Sequence, residues 1–181
     1  MTHDRFPAIS RILHWLMAAM ILAMLFIGIG MVASLTEYHW LLSIHRPLGI
    51  AILVLAAIRL VNRLAGRVPA LPNDMPPALR FAAQGSHIVL YVLMIAVPLV
   101  GWAMLSAARY PVVLYGAFEL PPILPQNDML YTILRDAHTV LAVTLFVLFL
   151  AHFAAALMHR LVFRDGVFES MASLRSDSRR R

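Results

Sequence analysis

The chain has 181 residues, 61% of them hydrophobic and 13% charged, with a mean hydropathy of +0.79. Soluble domains carry roughly 45–50% apolar and about 25% charged residues, which excludes a soluble fold, and the length suits a single domain without a separate catalytic module. The fifteen basic residues are all arginine and give a formal net charge of +6, but they are scattered instead of forming one stripe, which argues against nucleic acid.

A membrane helix needs about 20 mostly apolar residues, and four stretches reach that length, at roughly 12–35, 41–61, 81–105 and 137–157. The first follows Arg5 and Arg11 and carries His14; it exceeds the apolar core of a signal peptide and is expected to be retained. "TEYHW" makes a tight turn to the second span, which opens near His45 with Pro47 close to its start, where a missing N–H costs little, and holds Arg59 at its far end. "AGRVPALPNDMPPALR" is a proline-rich polar loop. The third span opens at His87 and carries Pro98 deep inside, where a kink is expected. "RYPVVLYGAFELPPILPQNDML" is a longer, semi-apolar connection expected to lie along the membrane surface. Within the fourth span an unbroken apolar run has His138 at one end and His152 at the other, and the sequence closes on the arginine-rich "RSDSRRR".

Arginines sort by side. Twelve fall with the N-terminus, the second loop and the C-terminal tail, against three (Arg46, Arg109 and Arg135) on the other face. The positive-inside rule then puts both termini in the cytoplasm.

Histidines inside a membrane domain are functional by default, because an unpartnered polar group is costly there. Cysteine is absent, so Fe–S clusters, thiolate sites and covalently attached c-type haem are excluded, and any haem must be held noncovalently. His138 and His152 lie fourteen residues apart, nearly four turns, so they share one face about 21 Å apart. That spacing suits two haems stacked across a bilayer inside an all-α four-helix bundle. His45 is level with His138, and His14 reaches the level of His152 if the first helix tilts, giving an outer pair and an inner pair. His87 is the rival for the inner iron. His87 and His159 could donate to a quinone carbonyl and relay protons, although His159 is equally readable as an interfacial residue. Arg59, fourteen residues after His45, takes the inner position and could pair with a haem propionate, a quinone oxygen or a lipid phosphate. Gly28, Gly30, Gly49 and Gly101 suit close approach of a helix or a porphyrin. His3 and His39 read as surface residues.

These stretches resemble the bacterial cytochrome b561 family along essentially the whole chain: "ISRILHWLMA", "IHRPLGIAILVLAAIRLVNR", "GSHIVLYVLMIAVPLVGW" and "AHTVLAVTLFVLFLAHFAAALMHRLVFRDG". Proline after "HR" in the second span is the one departure from the expected pattern. The resemblance implies an integral inner-membrane protein of four transmembrane helices with two haem b groups between them, ligated by His14, His45, His138 and His152. It further implies a superoxide oxidase, which passes electrons from periplasmic superoxide to ubiquinone, with His87 and His159 at the quinone site. Arg46 and Arg135 beside the outer pair would help draw in an anion such as superoxide. The alternative is an electron-transfer membrane subunit serving a dehydrogenase or hydrogenase, in which the donor is a protein redox partner.

Overall fold

The computed structural model describes residues 5–66, 69, 76–114 and 118–172. Four long helices dominate it: α1 (Ala8–Ala33), α2 (Tyr38–Ala65), α3 (Pro77–Ala107) and α4 (Asp128–Met158). All four are long and apolar enough to cross a membrane. Each expected span falls on one of them: α2, α3 and α4 overrun both hydropathy limits, whereas α1 starts before residue 12 but stops at Ala33, two residues short of 35. α4 starts at Asp128, nine residues before 137, because Asn127 caps it: its side chain accepts from the Leu130 N–H at 2.9 Å. α3 opens on Pro77, where the absent N–H has no helical partner to lose.

Pro47 corrects the sequence reading. α2 begins at Tyr38, so the proline sits in the third turn and is buried, not at the opening turn. Tyr38, His39 and Trp40 of "TEYHW" extend the helix ahead of the apolar stretch, and Pro47 therefore removes an internal rung facing the Ser43 carbonyl. The tight connection is correspondingly shorter, ending with Glu37 ahead of α2.

The core lies midway along the bundle. Met17, Ile21, Ile52, Ala56, Tyr91, Leu93, Met94 and Leu145 form it, with Leu145 seven residues from both His138 and His152. The outer helix faces remain apolar; Leu64 and Phe81 are 78% and 79% exposed, as expected where lipid is the surrounding solvent.

The connection between α3 and α4 is not a simple surface strand. It contains an antiparallel hairpin, β1 (Val112–Leu114) with β2 (Phe118–Leu120), in the register Val112 to Leu120. β1 packs on α2 and buries Val112. Three bonds tie the connection to α3: Trp102 Nε1 donates to the Pro121 carbonyl at 3.1 Å, the Ile123 N–H to Ser106 Oγ at 3.1 Å, and the Asn127 N–H to the Ala107 carbonyl at 3.0 Å.

At the opposite, terminal end, α4 widens into a π-type turn, His159–Phe163, followed by a short helix α5 (Val167–Ala172). The Phe6 N–H donates to the Ser170 carbonyl and Trp15 Nε1 to the Met171 carbonyl, each at 3.2 Å, so α5 closes against the start of α1.

Candidate functional site

α1 packs along α2, α2 along α3 and α3 along α4, whereas α4 has no comparable seam with α1 or α2 among the described residues. Histidines reach across both gaps. His45 on α2 faces His138 on α4 with ring centres 6.2 Å apart, at the hairpin end. His14 on α1 faces His152 on α4 with ring centres 6.3 Å apart, at the terminal end. A metal-bound imidazole nitrogen lies about 2 Å from its metal, which leaves the centres of two opposed rings roughly 6 Å apart. Both pairs have the spacing of an intervening iron.

His87 stands differently. Its ring centre is 5.4 Å from that of His152, and it reaches there across the packed α3–α4 seam. That separation is shorter than two opposed ligands require, and the seam leaves less room than the α1–α4 gap. Of the two separations, that of His14 from His152 is the one that matches opposed ligands, and His87 flanks His152 at the shorter distance.

His138 is already oriented. A carbonyl can only accept, so its Nδ1–H donates to the Val97 carbonyl at 3.1 Å, which leaves Nε2 with a lone pair for a metal. Gly101 makes room for this ring; a Cβ there would stand 3.1 Å from His138 Cε1. Gly30 permits close packing of Leu41 Cδ1, at 3.0 Å from an added Cβ, while Gly49 has only ordinary contact and Gly28 faces open space.

Each pair has buried polar atoms without a protein partner. At the hairpin end they include His45 Nδ1 and Arg46 Nε; at the terminal end they include Arg11 Nε, Arg59 Nη1 and the acceptor Glu169 Oε2. Buried donors of this kind are expensive unless something accepts from them. An anionic group beside each histidine pair, such as a haem propionate, would satisfy the guanidinium donors. The donor set thus fits two b-type haems.

Arg46 also donates through Nη1 to the Pro111 carbonyl at 3.3 Å, which ties α2 to the hairpin, while Arg135 is exposed on α4 one turn before His138. Arg59 Nε donates to Tyr91 Oη at 3.0 Å, and the Arg59 and Arg63 guanidinium carbons each lie 5.8 Å from the Tyr91 ring centre. These residues line a shallow cleft with Ser10, Asn62 and Met171, with an interior of only about 20 Å³.

His159 does not join His87: no ring contact links them among the described residues. Its Nδ1 instead meets Asp165 Oδ2 at 2.6 Å. His39 is exposed and stacks edge-on with Tyr38, and His3 lies outside the described residues. Sequence reading missed Arg11, Tyr91 and Asp165. The signals for them were an arginine one turn from His14, an aromatic hydroxyl one turn from His87, and a carboxylate six residues after His159.

Comparison with known proteins identifies the family. The family model described as prokaryotic cytochrome b561 matches residues 5–173. The chain is 28% identical to cytochrome b561 homolog 2 of Escherichia coli (strain K12), over 94% of this chain and 92% of that protein. It is 29% identical to the probable superoxide oxidase CybB of Yersinia pestis, over 93% of this chain and 96% of that protein. It is 26% identical to cytochrome b561 homolog 1 of Escherichia coli (strain K12), over 93% and 97%.

Proposed function

The chain belongs to the prokaryotic cytochrome b561 family, a group of bacterial multi-pass membrane cytochromes that bind b-type haem, and from that membership we propose that it oxidises superoxide and reduces ubiquinone. The balanced reaction is two superoxide anions, one ubiquinone and two protons giving two dioxygen molecules and one ubiquinol. Superoxide would be consumed at the hairpin end, facing the periplasm, and ubiquinone reduced at the terminal end, with both termini cytoplasmic.

The observation that carries this reading is the pair of histidine couples, spaced 6.2 and 6.3 Å, one at each end of the bundle and each across an unpacked gap. Haem bound there supplies one-electron transfer without needing an open coordination position. His45 and His138 would hold one haem, and His14 and His152 the other. At the hairpin end, exposed Arg135 and half-buried Arg46 set positive charge where a small anion must approach. At the terminal end, Arg59 would neutralise a propionate or hold a quinone oxygen, and His87 and His159 would serve the quinone. The likeness to a relative named a probable superoxide oxidase supports the choice of substrate.

A second reading has one observation in its favour. Tyr110, Val113 and Phe118 are exposed apolar residues on or beside the hairpin, and a protein redox partner docking there would replace superoxide as donor.

Stopped-flow spectroscopy on purified haem-loaded protein separates the two. Superoxide is expected to reduce the haem far faster than background, and ubiquinone to reoxidise it. Haem reduction at the background rate overturns the oxidase assignment and leaves the partner-subunit reading.

A further inference from the structure

We propose that Asp165 is a positioning residue that holds His159 as the proton donor to the quinone; this rests on the quinone reading above.

The geometry begins with the helical period. His159 follows His152 by seven residues, two turns along nearly the same face and about 10 Å further toward the terminal end. There the α-helix widens into the π-type turn His159–Phe163, which ends on Arg164 in the left-handed region at φ 51°, with its N–H bonded to the His159 carbonyl at 2.8 Å. π-type turns and left-handed non-glycine residues are uncommon, and both carry a local cost. What this backbone achieves is the return of Asp165 onto the imidazole at 2.6 Å.

Both carboxylate oxygens are committed. Oδ2 accepts from His159 Nδ1–H, and Oδ1 accepts from the Val167 N–H at 3.1 Å, at the start of α5. The Phe163 ring stands edge-on to the imidazole at 5.3 Å. The ring orientation is therefore fixed, Nδ1 carries a hydrogen, and Nε2 is the atom left for proton exchange.

Two neighbouring arginines are bonded elsewhere. Arg160 pairs with Glu169 on α5, and Arg164 Nε donates to the Leu161 carbonyl. On α1, buried Arg11 lies one turn before His14, and on α2 Arg59 and Arg63 are gathered at Tyr91 of α3. The His159 and Asp165 side chains are 17% and 21% exposed, shielded enough to hold geometry and open enough for water to return a proton.

The step balances. Ubiquinone takes two electrons, originating on superoxide, and two protons. For each proton delivered here, the His159 Nε2–H bond breaks and a quinone O–H bond forms. The imidazolium becomes neutral imidazole with Nδ1–H still on Asp165, and water at the terminal end restores the proton to Nε2.

The test uses haem-loaded protein, pre-reduced anaerobically, mixed with a short-chain ubiquinone or with ferricyanide across a range of pH. Ferricyanide takes electrons without protons and reports whether the haems and fold are intact. Asp165→Asn keeps the shape and is expected to slow reoxidation by ubiquinone at least tenfold above neutral pH, with partial recovery as pH falls and no change with ferricyanide. Asp165→Glu, which keeps the charge, is expected to recover most of the rate, and it carries the test should the asparagine variant not fold. Wild-type ubiquinone kinetics in Asp165→Asn, alongside slow kinetics in His159→Gln, overturn the positioning role and leave the quinone reading standing. Wild-type kinetics in His159→Gln remove His159 from the quinone reading altogether. Equal slowing with ubiquinone and ferricyanide in Asp165→Asn or Asp165→Glu also overturns the proposal, because it marks general damage.

Discussion

The imidazole of His138 is pressed against the backbone of Gly101: an added Cβ would lie 3.1 Å from Cε1 and 3.3 Å from Nδ1, while Nδ1 itself is bonded to the Val97 carbonyl. One turn of α3 thus sets both the position and the tautomer of a candidate iron ligand. Gly101→Ala is expected to push the ring by a few tenths of an ångström, retaining both haems with an altered Soret band. Gly101→Leu should lose one haem. Pigment extraction and the absorption spectrum check both outcomes, and full retention in the leucine variant would remove His138 from the ligand set.

His14 and His87 both flank His152, at 6.3 and 5.4 Å. His14→Ala is expected to halve the haem content, and His87→Ala to leave two haems per chain. The reverse result would assign the terminal-end iron to His87. His152→Ala should remove the same haem as His14→Ala, leaving the hairpin-end haem in place.

Arg59 has a buried Nη1 without a partner and an Nε bonded to Tyr91. A unit cation within about 10 Å acts with roughly 1–2 kcal/mol at an effective dielectric near 20. Its removal favours the oxidised iron, so Arg59→Met is expected to lower one haem midpoint potential by several tens of millivolts. Redox titration of the two haems reads this directly; unchanged potentials would place Arg59 outside the haem environment.

Ser106 is 5% exposed and accepts from the Ile123 N–H, holding the connection to α3. Ser106→Ala leaves that donor unsatisfied, at about 1–3 kcal/mol. A fall of several degrees in thermal midpoint in detergent is expected, with the haem spectrum preserved.

Arg135 is exposed at the hairpin end. Arg135→Glu is expected to slow haem reduction by superoxide by roughly two- to tenfold at low salt, and the difference should shrink as ionic strength rises. A salt-independent rate in both proteins would exclude electrostatic capture.

Much of the bundle was readable because helices convert sequence distance into depth. The interval between His138 and His152 gave two levels; His45 matched one from sequence distance alone, and His14 matched the other only with a tilt of the first helix. Which of His14 and His87 stands opposite His152 was not readable, since that depends on which helices pack and which leave a gap. The hairpin was hidden by a segment whose hydropathy fits neither a span nor a polar loop. Asp165 was obscured because an α-helical projection does not carry it onto His159; the widened turn does. Pro47 misled for the converse reason, since hydropathy marks the apolar slab and not the helix end.

The four-turn interval along α4 spans about 21 Å of a hydrocarbon layer roughly 30 Å thick. An electron moving between the two proposed haem levels therefore crosses some two-thirds of the insulating thickness and of any voltage across it. A full crossing is worth about 2.3 kcal/mol per 100 mV, so the partition of each electron between the two levels shifts by about 1.5 kcal/mol per 100 mV. With haem held at both proposed levels, the distribution of reducing equivalents along this protein would follow the membrane potential of an energised cell.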